Sequence, residues 1–158
     1  MKKKSLFVVA LSAIVLLMAS CGDSATSVNQ IIVGKMDKAV DMMNEVADFV
    51  DADEYDQALT KLGEITTYVA ESKEAISKLD NASAKDFIQG AVEYLDVVNE
   101  GIASYKQAIE LYQIGESNAE MRQANDLIND FIEKAGDKYE EVSKVQTAFA
   151  NANGITLR

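Results

Sequence analysis

Cys21 is the residue with the most distinctive chemistry, because it is the only cysteine in the chain. A cysteine sulfur can serve as a catalytic nucleophile, a metal ligand or half of a disulfide, and each role needs partners. The chain has no histidine, which excludes a Cys–His pair, a Ser-His-Asp triad and the Glu-x-x-His pairs of a ferritin-like di-metal bundle. A disulfide within the chain is also impossible. A lone cysteine is unusual in a secreted protein, where cysteines usually pair.

The segment before Cys21 has the order of an export signal. Lys2, Lys3 and Lys4 form a basic start, and an apolar run follows over residues 6–17. That run is shorter than the roughly 20 residues that a membrane-spanning helix needs. Its length, its basic start and the small residues that follow are typical of a signal peptide. We therefore assign residues 1–20 to a signal peptide and exclude them from the folded domain.

The four residues Met18-Ala19-Ser20-Cys21 resemble the lipobox of bacterial lipoproteins, with Met18 where Leu is usual. The resemblance covers residues 1–21 only. It implies cleavage between Ser20 and Cys21, a diacylglycerol on the sulfur, and acylation, as with palmitate, of the new amino group. Two or three acyl chains anchor a protein stably to a membrane. In enteric members an Asp directly after the cysteine retains the protein at the inner membrane, so Gly22 favours the outer membrane of the cell envelope. The alternatives are an ordinary secretory signal and an uncleaved membrane helix.

The rest of the chain is acidic, with a formal net charge of −11 for the whole sequence. Removing the three signal lysines makes it more negative. This charge argues against a nucleic-acid partner and against electrostatic binding to anionic lipids, so contact with the membrane would come from the lipid on Cys21. We expect a polar tether over residues 21–27 and one domain over residues 28–158. Within the tether, Asp23-Ser24-Ala25 resembles a bacterial O-glycosylation motif, which makes Ser24 a candidate acceptor.

The domain sequence predicts four amphipathic helices and no strands. Helix starts are indicated at Ser27, Ser83 and Ser117, each with an acidic or amide side chain three residues later. The acidic turn at 51–54 offers further caps, and Gly115 and Gly154 mark helix ends. Short turns between long helices predict an antiparallel up-down-up-down four-helix bundle. The alternative is a three-helix core with one helix splayed or swapped into a dimer.

Few side chains suggest a metal or cofactor site. Met36 and Met43 lie one heptad apart, but methionines at core spacing usually fill gaps in a core. An acidic cluster comprises Asp51, Asp53, Glu54 and Asp56. It begins like a calcium loop, but Asp56 stands where such a loop needs Gly and Leu62 where it needs Glu. Helix capping explains these acids more simply. We therefore predict no metal and no cofactor.

Two further sets of residues on the third helix are candidates for binding. Val97 and Leu111 lie two heptads apart on a flank outside the main apolar stripe and could form a partner patch. The alternative is that the third helix is enclosed by two neighbours. Tyr94, Tyr105 and Tyr112 could provide polar groups at the wall of an apolar pocket.

These observations favour a non-enzymatic, lipid-anchored binding or interaction module of the cell envelope, whose partner the sequence does not identify. The second hypothesis is a carrier of a hydrophobic small ligand between the helices. The third is an enzyme that uses carboxylates alone. The absence of histidine and of any nucleophile–base pattern makes this third hypothesis the weakest.

Overall fold

The computed structural model describes residues 22–115 and 117–157. These residues form four α-helices and one 3-10 turn, and they contain no strand. The prediction of an all-α chain with four helices is therefore confirmed for this part of the chain. The signal peptide, cleavage after Ser20 and lipidation of Cys21 lie outside the described residues. The helices are α1 (Ala25–Asp51), α2 (Tyr55–Ser77), α3 (Lys85–Ile114) and α4 (Asn118–Ala152), and the 3-10 turn is Ala82–Ala84.

Helix α1 begins one turn earlier than the sequence predicts. Its cap is Ser24, whose hydroxyl oxygen accepts a hydrogen bond from the backbone N–H of Ser27 at 3.2 Å. The predicted cap at Ser27 is wrong, and residues 25–27 belong to the helix rather than to a tether. The reason is that Val28 is fully buried and Ala25, three residues earlier, packs against the same core. The apolar face therefore extends one turn further towards the N-terminus.

The two turns that flank α2 also differ from the prediction. Before α3, Asn81 caps the 3-10 turn, and its side-chain oxygen accepts a hydrogen bond from the Ser83 backbone N–H at 3.0 Å. Before α2, the expected acidic caps accept no backbone N–H of the helix start. Asp53 instead adopts a left-handed backbone conformation at φ 59° and accepts a hydrogen bond from the Tyr55 hydroxyl at 2.7 Å. Neither α2 nor α3 therefore begins with a side-chain cap on its backbone N–H groups.

The predicted ends of α3 and α4 are confirmed. Ser117 and Glu120 form a reciprocal capping box at the start of α4. Gly115, at φ 32°, ends α3, and Gly154, at φ 66°, follows the end of α4. The backbone N–H of Ile155 donates to the Ala150 carbonyl at 2.9 Å, which is the long bond of a Schellman motif. Helix α4 is continuous through Gly136.

Helix α3 is the centre of the core, since it packs against each of the other three helices and contains the most buried residues. Its contact with α4 is the most extensive and includes a very close approach at Gly101, which is buried against the ring of Phe131. Helix α1 packs mainly on α2 and touches α4 at few points. The largest fully buried side chains include Phe87, Ile32, Leu62, Ile65, Ile76, Leu95 and Ile109.

Candidate functional site

The sparse contact between α1 and α4 leaves an open groove with a volume of about 580 Å³. Its base is formed by two α3 residues, Tyr94 and Val98, which are almost completely buried. Such a volume falls within the usual range for small-molecule sites, which is roughly 300–1,000 Å³. Helix α1 contributes Asp37, Val40, Asp41, Met43 and Asn44 to the lining, and helix α4 contributes Phe131, Ile132, Ala135, Gly136 and Tyr139.

Two side-chain hydrogen bonds join α1 to α4 next to the groove and define one of its ends. Gln146 donates to Asn29 at 3.0 Å, and the hydroxyl of Tyr139 donates to the Asp37 carboxylate at 2.9 Å. The groove residues of α1 lie at and after Asp37, and those of α4 lie at and before Tyr139. The helices are therefore bridged on one side of the Tyr139–Asp37 bond and separated on the other.

The walls of the groove are mainly apolar, and one of the apolar wall residues is exposed. Ile132 has 55% of its surface accessible, although it is a large aliphatic residue. Its neighbour Phe131 is only 9% exposed and meets the ring of Tyr105 edge-on, with the centroids 5.9 Å apart. Nothing lies within 4 Å of where a Cβ atom on Gly136 would be. The groove thus has both a contact surface and space to receive a ligand.

Two tyrosines give the groove a polar element at its base. The Tyr94 and Tyr139 rings meet edge-on with centroids 5.5 Å apart. Burial, with smaller effects of Tyr139 and Asp37, raises the pKa of Tyr94 to about 12. Burial and the hydrogen bond to Asp37 also raise the pKa of Tyr139. Both hydroxyls therefore keep their protons at neutral pH; Tyr139 donates its proton to the hydrogen bond with Asp37, and Tyr94 has a donor available.

The structure places only one of the three predicted wall tyrosines in the groove. Tyr94 lines it, whereas Tyr105 is buried against Phe131. Tyr112 lies elsewhere, where its hydroxyl donates to Asn125 at 2.7 Å and its ring stacks on Tyr55. The place of Tyr139 in the groove was not predicted from the sequence. Tyr139 lies four residues after Ala135 and three before Val142, which is the spacing of an ordinary core residue.

The candidate partner patch on α3 presents little surface. Val97 is buried at 9% exposure, and Leu111 is half-buried. Helix α3 is enclosed by its neighbours at Val97, as the alternative interpretation of this flank expects. Val97 and Leu111 therefore offer little surface to a partner, and we base no proposal on them.

The other predicted site residues also lie apart from the groove or serve structural roles. Met36 is buried in the core, and Met43 reaches both the core and the groove. Among residues 22–115 and 117–157, no group of three or more carboxylates is arranged to hold a metal ion. Ser24 is exposed at the start of α1 and uses its hydroxyl oxygen to cap the helix. Its glycosylation stays a prediction.

Comparison with known proteins gives no relative from which a function could be inferred, since no family model, curated protein or solved structure matches the chain. No helix in the described part is long and apolar enough to cross a membrane. The groove is therefore the main structural basis for a functional hypothesis.

Proposed function

We propose that this chain is a lipid-anchored cell-envelope protein that acts without catalysis and binds a small apolar ligand in the groove between α1 and α4. The observation that carries the proposal is the concave, mainly apolar lining of the groove, in which Phe131 and the exposed Ile132 face Val40 and Met43. A concave apolar site with a few polar groups is the usual form of a ligand site.

The bundle in this proposal has an up-down-up-down topology, and contacts at its two ends support that arrangement. At one end, the turn before α3 contacts the start of α1 through Asp23 and the end of α4 through a 3.3 Å bond between Ser83 and Asn153. At the other end, Tyr55 at the start of α2 stacks on Tyr112 near the end of α3. These contacts fit helices whose directions alternate along the chain.

The anchor in this proposal is a lipid on Cys21, after cleavage behind Ser20. Its support is the lipobox resemblance, together with the short distance along the chain from Cys21 to the bundle. The backbone N–H of Asp23 donates to the Asp80 carbonyl at 2.7 Å, and the Asp23 carboxylate accepts the Asp80 backbone N–H at 2.9 Å. A side chain at position 22 would collide with the Asp80 carbonyl, so Gly22 also has a packing role. The anchored end of the bundle would then lie close to the membrane surface. In this proposal the membrane is the outer rather than the inner one.

The anchor is tested by intact mass and membrane fractionation of the wild-type protein and a Cys21→Ala variant from the native host. We expect the wild-type protein to lack residues 1–20, to have acyl groups and to fractionate with membranes. The variant should lose the acyl groups and the membrane association. A wild-type protein that keeps its N-terminus, or is free of lipid, would contradict the anchor without affecting the groove.

The groove is tested with the neutral fluorescent probe N-phenyl-1-naphthylamine. We expect saturable 1:1 binding to the wild-type protein and loss of binding in Gly136→Leu, because the leucine side chain would occupy the open space in the groove. Gly63→Leu is the matched control, since position 63 is also helical and exposed with nothing within 4 Å of a Cβ atom, but does not line the groove. Absence of saturable binding to the wild-type protein, or equal binding to both variants, would refute ligand binding at this site.

A further inference from the structure

The charged residues that line the groove are acidic. Asp37 and Asp41 lie one helical turn apart on α1, and both line the groove, whereas no lysine or arginine of the described residues does so. Neither carboxylate takes part in an ion pair among the described residues. Like charges four residues apart on a helix repel each other. A positive charge placed between them would relieve that repulsion.

The nearby lysines are held on other surfaces of the bundle. On α4, Lys134 pairs with Glu100, and Lys138 pairs with Glu93 at 2.6 Å, both across the seam with α3. On α1, Lys35 and Lys38 lie over the Tyr68 ring on α2, with their ammonium nitrogens 5.5 and 5.6 Å from its centroid. Each of these lysines thus has a partner away from the groove, and the groove carboxylates have no cationic partner among residues 22–115 and 117–157.

The carboxylate of Asp37 is also oriented towards this role. It accepts a hydrogen bond from the Tyr139 hydroxyl at 2.9 Å, which holds the side chain at the end of the groove and leaves further lone pairs free. The half-buried Tyr139 places its aromatic ring beside this carboxylate, and the buried Tyr94 supports that ring edge-on. Aromatic rings attract cations. The apolar walls, the two carboxylates and the aromatic base therefore favour one kind of ligand.

We propose that the ligand is an organic cation with an apolar body, such as a hydrophobic amine or quaternary ammonium compound. Its apolar part would contact Phe131 and Ile132, and its charge would lie between Asp37 and Asp41. This inference rests on the proposed function, because it specifies the ligand class of the same groove. It goes beyond that function by requiring selection for positive charge.

The test compares tetraphenylphosphonium and tetraphenylborate, which have nearly the same shape and opposite charge, by calorimetric titration at 0.15 M salt. We expect the affinity for the cation to be at least about tenfold higher than that for the anion. The reason is that the charge of a ligand bound between the two carboxylates would lie within the ~8 Å screening length of both. Asp37→Asn/Asp41→Asn should weaken binding of the cation by about tenfold. The control Asp48→Asn/Asp130→Asn removes the same net charge from exposed positions outside the groove and should change affinity less than about twofold.

The outcomes separate this inference from the proposed function. If N-phenyl-1-naphthylamine binds in a manner sensitive to Gly136→Leu, but the cation binds no better than the anion, the groove stands and the charge selection is wrong. Equal losses in the two aspartate pairs would also overturn the inference, because they would show a response to net charge alone. If N-phenyl-1-naphthylamine shows no saturable binding, the proposed function itself fails, whatever the two ions do.

Discussion

Gly101→Ala is expected to destabilise the protein in the wild-type background and to stabilise it when Phe131 is replaced by alanine. A Cβ atom at position 101 would lie 2.6 Å from Cζ of Phe131 and closer still to Cε2 and Cδ2. The ring has little room to retreat, because it is 9% exposed and packs edge-on against Tyr105. Overpacking of this kind typically costs about 1–3 kcal/mol. The gain in helix propensity from Gly to Ala returns about 1 kcal/mol, which leaves a net loss of up to about 2 kcal/mol.

The double-mutant cycle isolates this contact. In a Phe131→Ala background the ring is absent, so only the helix-propensity gain of about 1 kcal/mol should remain. The coupling free energy between the two positions should therefore be about 1–3 kcal/mol. It is measured by urea unfolding of the wild-type protein, both single variants and the double variant, followed by circular dichroism at 222 nm. If Gly101→Ala changes the free energy of unfolding equally in both backgrounds, the close approach of α3 and α4 is not as described.

Three further predictions test other parts of the structure. The buried Ser72 hydroxyl makes no hydrogen bond of good geometry, and the group close to it is the Tyr68 hydroxyl. Ser72→Ala should therefore raise the free energy of unfolding by about 1 kcal/mol, whereas the exposed Ser77→Ala should change it by less than about 0.5 kcal/mol. A loss of stability in Ser72→Ala would show that Ser72 is hydrogen-bonded to Tyr68. Gly136→Ala and Gly34→Ala should each stabilise the protein by up to about 1 kcal/mol in thermal unfolding, because a Cβ atom has open space at both positions. Destabilisation by Gly136→Ala would mean that protein atoms occupy the groove beside position 136. Burial raises the pKa of Tyr94 from about 10 in the unfolded chain to about 12 in the folded protein. The stabilising effect of the neutral Tyr94 is therefore complete below about pH 10 and is lost as the pH rises towards about 12. From pH 9 to pH 11 the wild-type protein should lose about 1 kcal/mol more stability than Tyr94→Phe, and equal losses would contradict the raised pKa.

The sequence predicts the helices well because the period of a helix is a local property. The 3-4 spacing of Ile32, Met36 and Ala39 identifies a face that must be buried whichever helix covers it, and all three are buried. The capping box at Ser117 and the glycine ends are equally local. The predicted cap at Ser27 is wrong because a second serine, Ser24, lies one turn earlier. The contact of Ala25 with the core favours the longer helix, which begins after Ser24.

The groove could not be predicted in the same way because it depends on which helices touch. Tyr94, Tyr105 and Tyr112 share one stripe of α3, yet only the position of Tyr94 along the bundle places it in the groove. Asp37 and Asp41 look like ordinary exposed acids of an acidic helix until the opposite surface is known. The one usable signal was Ile132, an apolar residue next to the core stripe of α4 that the stripe does not need.

The openness of the seam between α1 and α4 follows from what its closure would bury. On α4 the groove is lined by Ala135, which has only a methyl group, and by Gly136, which has no side chain, so neither residue can fill the groove. On α1 it is lined by Asp37 and Asp41. Burying a carboxylate that has no cationic partner costs several kcal/mol, which offsets the gain from several methylene groups at about 0.8 kcal/mol each. Lys134 and Lys138 are paired across the seam with α3, so among residues 22–115 and 117–157 no basic side chain lines the groove to offset that cost. The same two carboxylates that keep the groove open are thus the groups that a cationic ligand would neutralise when it fills the space.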